Sequence, residues 1–479
     1  MMSHPLFFLA TLLCLNSSVS AFRPVGHVLL KDEIVRALPD GNIFKEAMKR
    51  HPQIASWGAI APDLGYNPDL SRTFRAKWKR QIKNSMQLAD IAHYHAVGTF
   101  LTNLINEAYR RNDDKFFAFI GGWMTHIAGD FGSHNIYVKP EAGYYVAYEG
   151  GRDLHSELEK MSDAYLYSVY ARNYCLSARD FKSDYYWKDF FGVRTKPKNR
   201  KERQENQSAL DTMLGGCVET YFTDVYKKTY GLDSTASVSF DLVKLASTYY
   251  RSVGDGIGKY AGFSPYSVEE SLDFVALKNR KALIDSAFTV GKNYGLSFIQ
   301  KATGNDRMFS DSWNLDIGEH GEPTYVIRID AGRKMTSRTK NDLYVKFANN
   351  QKESTEIKIT TKAGPLKFAF YQKDSYFYAI NLGGAMGEIV DCWKKENVKS
   401  ATILMRPRKF QLFSNTFRIK RVTIYYNGNP IAFTREGDKL IKLKKKQTDR
   451  TDVVDHFFLP PDLLSFFTFL YVEPNRTAP

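Results

Sequence analysis

The segment Phe116 to Asn135, FFAFIGGWMTHIAGDFGSHN, constrains this chain more than any other. Nearly every residue in it is apolar or small, so a helix built from it needs burial around most of its circumference. His126, Asp130 and His134 advance four residues at a time, about 40° of rotation per step, and so share one stripe of that helix. Two imidazoles and a carboxylate are costly to bury without partners. A divalent metal satisfies this donor set, and so does a pair of hydrogen-bonded core histidines; the stripe by itself leaves both readings open.

With 479 residues, 43% of them hydrophobic and 14% aromatic, the chain can bury a sizeable core and divides into two or more domains. The apolar run PLFFLATLLCL, followed by Val19-Ser20-Ala21, marks residues 1–21 as a signal peptide and Phe22 as the expected mature start. No other run reaches the roughly 18 apolar residues of a spanning helix. The expected compartment is therefore secreted, extracellular or the lumen of the secretory or endolysosomal route. Cys175 and Cys217 are a candidate disulfide pair, which leaves Cys392 odd. Asn206-Gln207-Ser208 and Asn475-Arg476-Thr477 are glycosylation sequons at Asn206 and Asn475.

From residue 22 to about 302 the apolar spacing is helical, as in Val28, Leu29, Leu30, Ile34, Val35 and Leu38. The polar segment KPKNRKERQEN, Lys196 to Asn206, reads as an exposed loop. Gly304, Gly318, Gly321 and Pro323 break the helical pattern across a linker, 303–322. Short alternating strands follow within 323–446: Tyr325–Ile329, Leu343–Phe347, Glu356–Ile359 and Phe417–Tyr425. They predict an antiparallel sandwich, with a tail over 447–479. The fold class is thus multidomain, all-α then all-β. Residues 322–479 carry 28 Lys and Arg against 16 Asp and Glu, so most of the formal charge of +15 lies there. Such a face suits an anionic surface, lipid or nucleic acid, or simply solvent.

Seven of the 10 histidines fall between His27 and His155. Beside the stripe stand His27, Asp63 in APDLGY, His93 in AHYH, and His155 with Glu159 one helical turn on. His95 and Asp69 are rivals to His93 and Asp63. So many N and O donors at helical ligand spacings favour metal over scattered core residues.

In this order Phe22, His27, Asp63, His93, His126, Asp130, His134, His155 and Glu159 resemble the zinc-dependent phospholipase C and S1/P1 nuclease superfamily. GAIAPDL, the HYH segment and HIAGDFGSH most resemble its glycosylphosphatidylinositol-specific phospholipase D branch. The resemblance implies three zinc ions in an all-α domain. One is held by Asp63, His93, His126 and Asp130, a second by His134, His155 and Glu159. The third takes His27, a bridging Asp130, and the amino group and carbonyl of Phe22, where the family usually has Trp. Asp63 is implied as the group that orients or deprotonates the attacking water. TYVIRIDAGRKMTSRTKNDLYVKF resembles the opening of a PLAT domain, a lipid-docking β-sandwich of C2-like kind. Here Arg333, Lys334, Arg338 and Lys340 partly replace the usual Gly and acidic residues, which argues against Ca2+ and for direct attraction to anionic head groups.

The leading expectation is a secreted zinc-dependent phosphodiesterase acting on phospholipid or glycosylphosphatidylinositol at a membrane. A secreted single-strand nuclease with the same metals and a non-catalytic cell-surface binding protein are the alternatives. Oligomeric state and C-type against D-type cleavage are left open by the sequence.

Overall fold

The computed structural model describes residues 22–66, 89, 92–142, 155, 158–159, 161–167, 169, 183–194, 197–230, 242–247, 249–250, 274–310, 313 and 315, and the strands between 325 and 458. The first part is all-helical: α1 Pro24–Ala37, α2 Ile43–Arg50, α3 Pro52–Ile60, a 3-10 turn Ala61–Tyr66, α4 Val97–Arg111, α5 Asp114–Ser133, a π turn His134–Val138, α6 Lys139–Ala142, α7 Ser183–Phe191, α8 Arg200–Met213, α9 Cys217–Thr229 and α10 Phe274–Thr303.

The hydrophobic segment identified from the sequence is the central helix, α5. Asp113 caps it by accepting from the Phe116 amide at 3.0 Å, which satisfies one of the orphan donors of the first turn. Every residue from Phe116 to Ser133 is buried, as expected for a helix apolar on all sides. α5 can lie this deep because its glycines admit neighbouring backbones. A Cβ at Gly122 would stand 2.0 Å from the Ala55 carbonyl oxygen of α3, and one at Gly132 2.3 Å from the Ala287 carbonyl oxygen of α10. Trp123 packs edge to face on Phe100, ring centroids 5.5 Å apart, and at a tilt on Phe222, at 5.2 Å.

Two sequence readings are corrected in the helical part. The polar segment at Lys196 to Asn206 is not a loop throughout: Asn199 caps a helix from Arg200 by accepting from the Glu202 amide at 2.9 Å. Its buried face is only Asn206 and Leu210, one turn apart, too little to register as apolar periodicity. The segment read as linker is also docked. Phe309, Trp313 and Leu315 are buried, and Trp313 packs on Phe131 of α5 with centroids 5.2 Å apart. Leu315 donates its amide to the His93 carbonyl at 3.0 Å, so the helical unit extends at least to Leu315.

Strands follow as β1 Tyr325–Ala331, β2 Asp342–Ala348, β3 Ile357–Lys358, β4 Thr360–Thr361, β5 Gly364–Pro365, β6 Tyr376–Ile380, β7 Ser400–Arg406, β8 Phe417–Tyr426, β9 Asn429–Phe433, β10 Ile441–Leu443 and β11 Asp452–Phe458. They pair antiparallel in a sheet ordered β10-β8-β1-β6, with β9 also on β8, a second sheet β11-β7-β2-β3, and the pair β4-β5. In the first sheet Ile327 lies opposite Tyr378 on one side and Ile424 on the other. β11 comes from the stretch read as tail. Its Val453 pairs with Leu404 and its Phe457 with Ala401, so sheet pairing reaches Phe458.

Candidate metal centre

Five backbone segments bring the donors together. α5 supplies His126 and Asp130, and the π turn begins at His134; such a widened turn re-aims the side chains after an α-helix. α1 supplies His27, the 3-10 turn Asp63, and the helical residues near 155–167 supply His155 and Glu159. His93 precedes a reversal at Ala96, whose backbone is left-handed with φ 47°, a conformation that costs a non-glycine residue roughly 1 kcal/mol. All eight side chains are buried.

Asp130 is the hub. Its Oδ1 lies 3.5 Å from His27 Nε2, while its Oδ2 lies 3.2 Å from His126 Nε2 and 3.7 Å from His93 Nε2. His93 Nε2 is also 3.3 Å from Asp63 Oδ1, and His126 Nε2 is 4.0 Å from Asp63 Oδ2. Apart from this group, His155 Nε2 meets Glu159 Oε1 at 2.8 Å and His134 Nε2 stands 3.9 Å from the same oxygen. Among the described residues three sets of donors have ligand atoms within 4.8 Å of one another: His27, His126 and Asp130; Asp63, His93 and His126; His134, His155 and Glu159.

The donors fit zinc. Zn–N and Zn–O bonds of ~2.0–2.1 Å in a tetrahedron place neighbouring ligand atoms about 3.3 Å apart, the middle of the observed range. Neither oxygen of Asp130 meets hydrogen-bond geometry, although a buried carboxylate needs partners; a cation between it and the imidazoles supplies them. The imidazoles are also oriented from behind. His93 Nδ1 bonds the Ala89 carbonyl at 2.7 Å, His126 Nδ1 the Ala59 carbonyl at 2.9 Å and His134 Nδ1 the Leu315 carbonyl at 2.6 Å. Each contact puts the proton on Nδ1 and leaves Nε2 to face the other donors, the arrangement of metal-bound histidine.

The electrostatics agree. Burial, with the charges of His126, His134 and His93, holds His27 well below the usual histidine range, so it stays neutral and able to ligate. Burial pushes His126 down too, but Asp130 and Asp63 outweigh it and raise the metal-free imidazole to about 9. A metal competes with that proton.

Where the sequence left rivals, the structure chooses between two of them. His93 enters the cluster; His95 turns to Tyr230, with centroids 5.6 Å apart, and its carbonyl accepts the Tyr230 hydroxyl at 3.1 Å. Asp63 is in place, and Asp69 lies outside the described residues. Phe22 is buried beside His27, ring centroids 5.9 Å apart. The sequon at Asn206 is reread as a structural asparagine. Its side chain is 3% exposed, accepts from the Arg194 amide at 2.9 Å, and donates to the Arg194 carbonyl at 2.7 Å and the Tyr250 hydroxyl at 3.2 Å, leaving no amide for a glycan. Cys217 is an exposed free cysteine. Cys175, Asn475, Arg333, Lys334, Arg338 and Lys340 lie outside the described residues.

Three contributors escaped the sequence reading. The Leu315 carbonyl leaves no trace in residue identity. Tyr249 is buried near the centre, its hydroxyl pushed well above its ordinary range by burial and by Asp63. Asp163 extends the four-residue step of His155 and Glu159 by one more turn, a signal that was present. Burial pushes its carboxyl up to about 8, against the Gly26 amide and Arg23.

Among solved structures the chain is similar to an alpha-toxin of Clostridium perfringens from an avian strain, at 14% identity over 92% of this chain and 100% of that one, with a TM-score of 0.29. It is also similar to the alpha toxin of Clostridium absonum, at 13% identity over 90% and 98% of the two chains, with a TM-score of 0.25. No curated protein matches the chain. Residues 26–230, which carry His27, Asp63, His93, His126, Asp130, His134, His155 and Glu159, match the family described as Zinc dependent phospholipase C.

Proposed function

We propose that this chain is a secreted zinc-dependent phosphodiesterase that hydrolyses phospholipid or glycosylphosphatidylinositol. Its strands form a PLAT-like sandwich that docks the helical domain on a membrane. The observation that carries the reading is the buried Asp130, with His27 on one oxygen and His126 and His93 on the other. A carboxylate so placed is suited to bridge two ions. Asp63, His93 and His126 complete one ligand set, His134, His155 and Glu159 a second, and His27 with the main chain of a cleaved Phe22 a third. The match of residues 26–230 to the zinc dependent phospholipase C family supports the metal and the substrate class together.

Bound zinc supplies Lewis-acid polarisation of the phosphate and a water acidified towards neutrality. The chain's own residues do the rest. Asp63, 3.3 Å from His93 Nε2, has its carboxylate directed into the same space and accepts the proton of the attacking water. The Nδ1 bonds to Ala59, Ala89 and Leu315 hold the imidazoles still, so little reorganisation is needed during attack. Arg333, Lys334, Arg338 and Lys340 give roughly 1 kcal/mol each towards anionic head groups, without calcium.

Turnover of phosphatidylcholine, phosphatidylinositol, a glycosylphosphatidylinositol-anchored protein and single-stranded DNA, each with and without chelator, tests the proposal. Chelator-sensitive lipid cleavage is expected, with diacylglycerol marking C-type and phosphatidate D-type attack. DNA cleavage alone makes the chain a nuclease, a reading to which the basic C-terminal region also lends itself. Vesicle binding without any turnover makes it a binding protein.

A further inference from the structure

The first turn of α1 has no cap of its own. Arg23, at the N-cap, makes no side-chain capping bond, and Pro24, the first helical residue, has no amide hydrogen. The next two amides are satisfied from far along the chain: Gly26 donates to Asp163 Oδ1 at 2.8 Å and Val25 to Asp163 Oδ2 at 3.1 Å. Asp163 is fully buried, as are Phe22, Val25, Gly26 and His27. It sits one helical turn beyond Glu159, which itself is one turn beyond His155. The contact is tight from both sides. A Cβ at Gly26 would stand 2.9 Å from Asp163 Oδ1 and 2.6 Å from the Phe22 Cβ.

We infer that Asp163 is a positioning residue: by clamping the Val25 and Gly26 amides it ties the Phe22–His27 turn to the helix of His155 and Glu159, and so fixes the main chain of Phe22 where the third zinc takes its terminal ligands. This rests on the proposed three-zinc reading with cleavage before Phe22. Both carboxylate oxygens are engaged, so a side chain with one acceptor cannot replace it. Asn offers one carbonyl oxygen and turns an N–H2 group towards the second amide. A misplaced Phe22 leaves His27 and Asp130 with too few partners for that ion, while the donor sets of the other two are untouched.

The test is zinc stoichiometry and stepwise affinity in the mature protein, with far-UV circular dichroism alongside. Wild type is expected to hold three zincs. Asp163→Asn is expected to weaken the last by about 10–100-fold, the usual effect of removing an outer partner, and to leave the other two and the helix content unchanged. Gly26→Ala, which wedges the turn off Asp163 without altering the carboxylate, is expected to lose the same ion. In a chain retaining one extra residue before Phe22, where the terminal ligand is already displaced, Asp163→Asn is expected to add nothing. Three zincs of wild-type affinity in both variants would overturn the inference, and so would loss of all three zincs in step with helix content, which would make Asp163 a purely structural cap. A wild-type protein with fewer than three zincs overturns the three-zinc reading, and the inference with it.

Discussion

Gly122→Ala is expected to damage the metal centre without touching a ligand. The added methyl would stand 2.0 Å from the Ala55 carbonyl oxygen and 2.7 Å from the Ala59 amide nitrogen. Both are backbone atoms that cannot rotate away. Ordinary contact is about 3.5 Å, so α3 and α5 must separate by more than about 1 Å. Overpacking of this kind costs roughly 1–3 kcal/mol of stability. The Ala59 carbonyl moves with α3, and its 2.9 Å bond to His126 Nδ1 stretches beyond the ~3.2 Å limit of a good hydrogen bond. Loss of such a partner lowers metal affinity about 10–100-fold. Urea denaturation of the metal-free protein reads the first effect and a competitive chelator titration the second. A variant that loses stability but binds zinc at wild-type affinity would refute the coupling of helix spacing to His126. A variant unchanged in both would refute the close crossing itself.

Asp130→Asn is expected to cut zinc affinity by more than the ~10–100-fold that loss of an outer partner brings, and to affect two ions where His155→Ala affects one; metal analysis after dialysis against a weak chelator checks the difference. The pH dependence of the metal-free protein follows from two histidines of opposite sign and one raised carboxyl. His126, raised to about 9, contributes stability that is complete below pH 6.5 and lost as pH climbs through about 9. His27, lowered by burial, costs stability as pH falls below 6.5, and Asp163, raised to about 8, costs stability as pH climbs towards that value, so urea midpoints should fall steadily as pH rises from 6.5 through about 9. Zinc uptake at pH 7 should then release a proton from His126 into weakly buffered solution, and zinc affinity should rise up to about pH 9; uptake with no proton release would contradict the raised imidazole. Asn206→Ala removes three hydrogen bonds, one buried and two part-buried, and should cost about 1–3 kcal/mol, while glycosidase treatment of wild type expressed through a secretory route should produce no mass shift at the Asn206 peptide.

The donors that cluster were legible because they obey a local rule. His126, Asp130 and His134 share a helical stripe, as do His155 and Glu159, and a four-residue step survives any change in the surroundings. α5 itself was legible from its uninterrupted apolar content. What remained hidden depends on contacts made across the fold. The choice of His93 over His95 is made by a left-handed residue at Ala96 and an aromatic neighbour, Tyr230, far along the chain. Leu315 looked like linker because glycines and prolines surround it, yet its carbonyl fixes His134 at 2.6 Å. The helix over Arg200–Met213 was missed because Lys, Glu, Gln and Arg suit an exposed helix as well as a loop, and only Asn206 and Leu210 face inward. β11 was missed because its Val and Phe residues stand next to the prolines of the tail.

The most direct measurement is an anomalous-scattering map of the crystalline mature protein, collected on either side of the zinc absorption edge. Three peaks are expected: one among Asp63, His93, His126 and Asp130, one among His134, His155 and Glu159, and one between His27, Asp130 and the main chain of Phe22. A map without peaks at these residues, from protein that still hydrolyses phospholipid, would contradict the metal centre as the seat of the reaction.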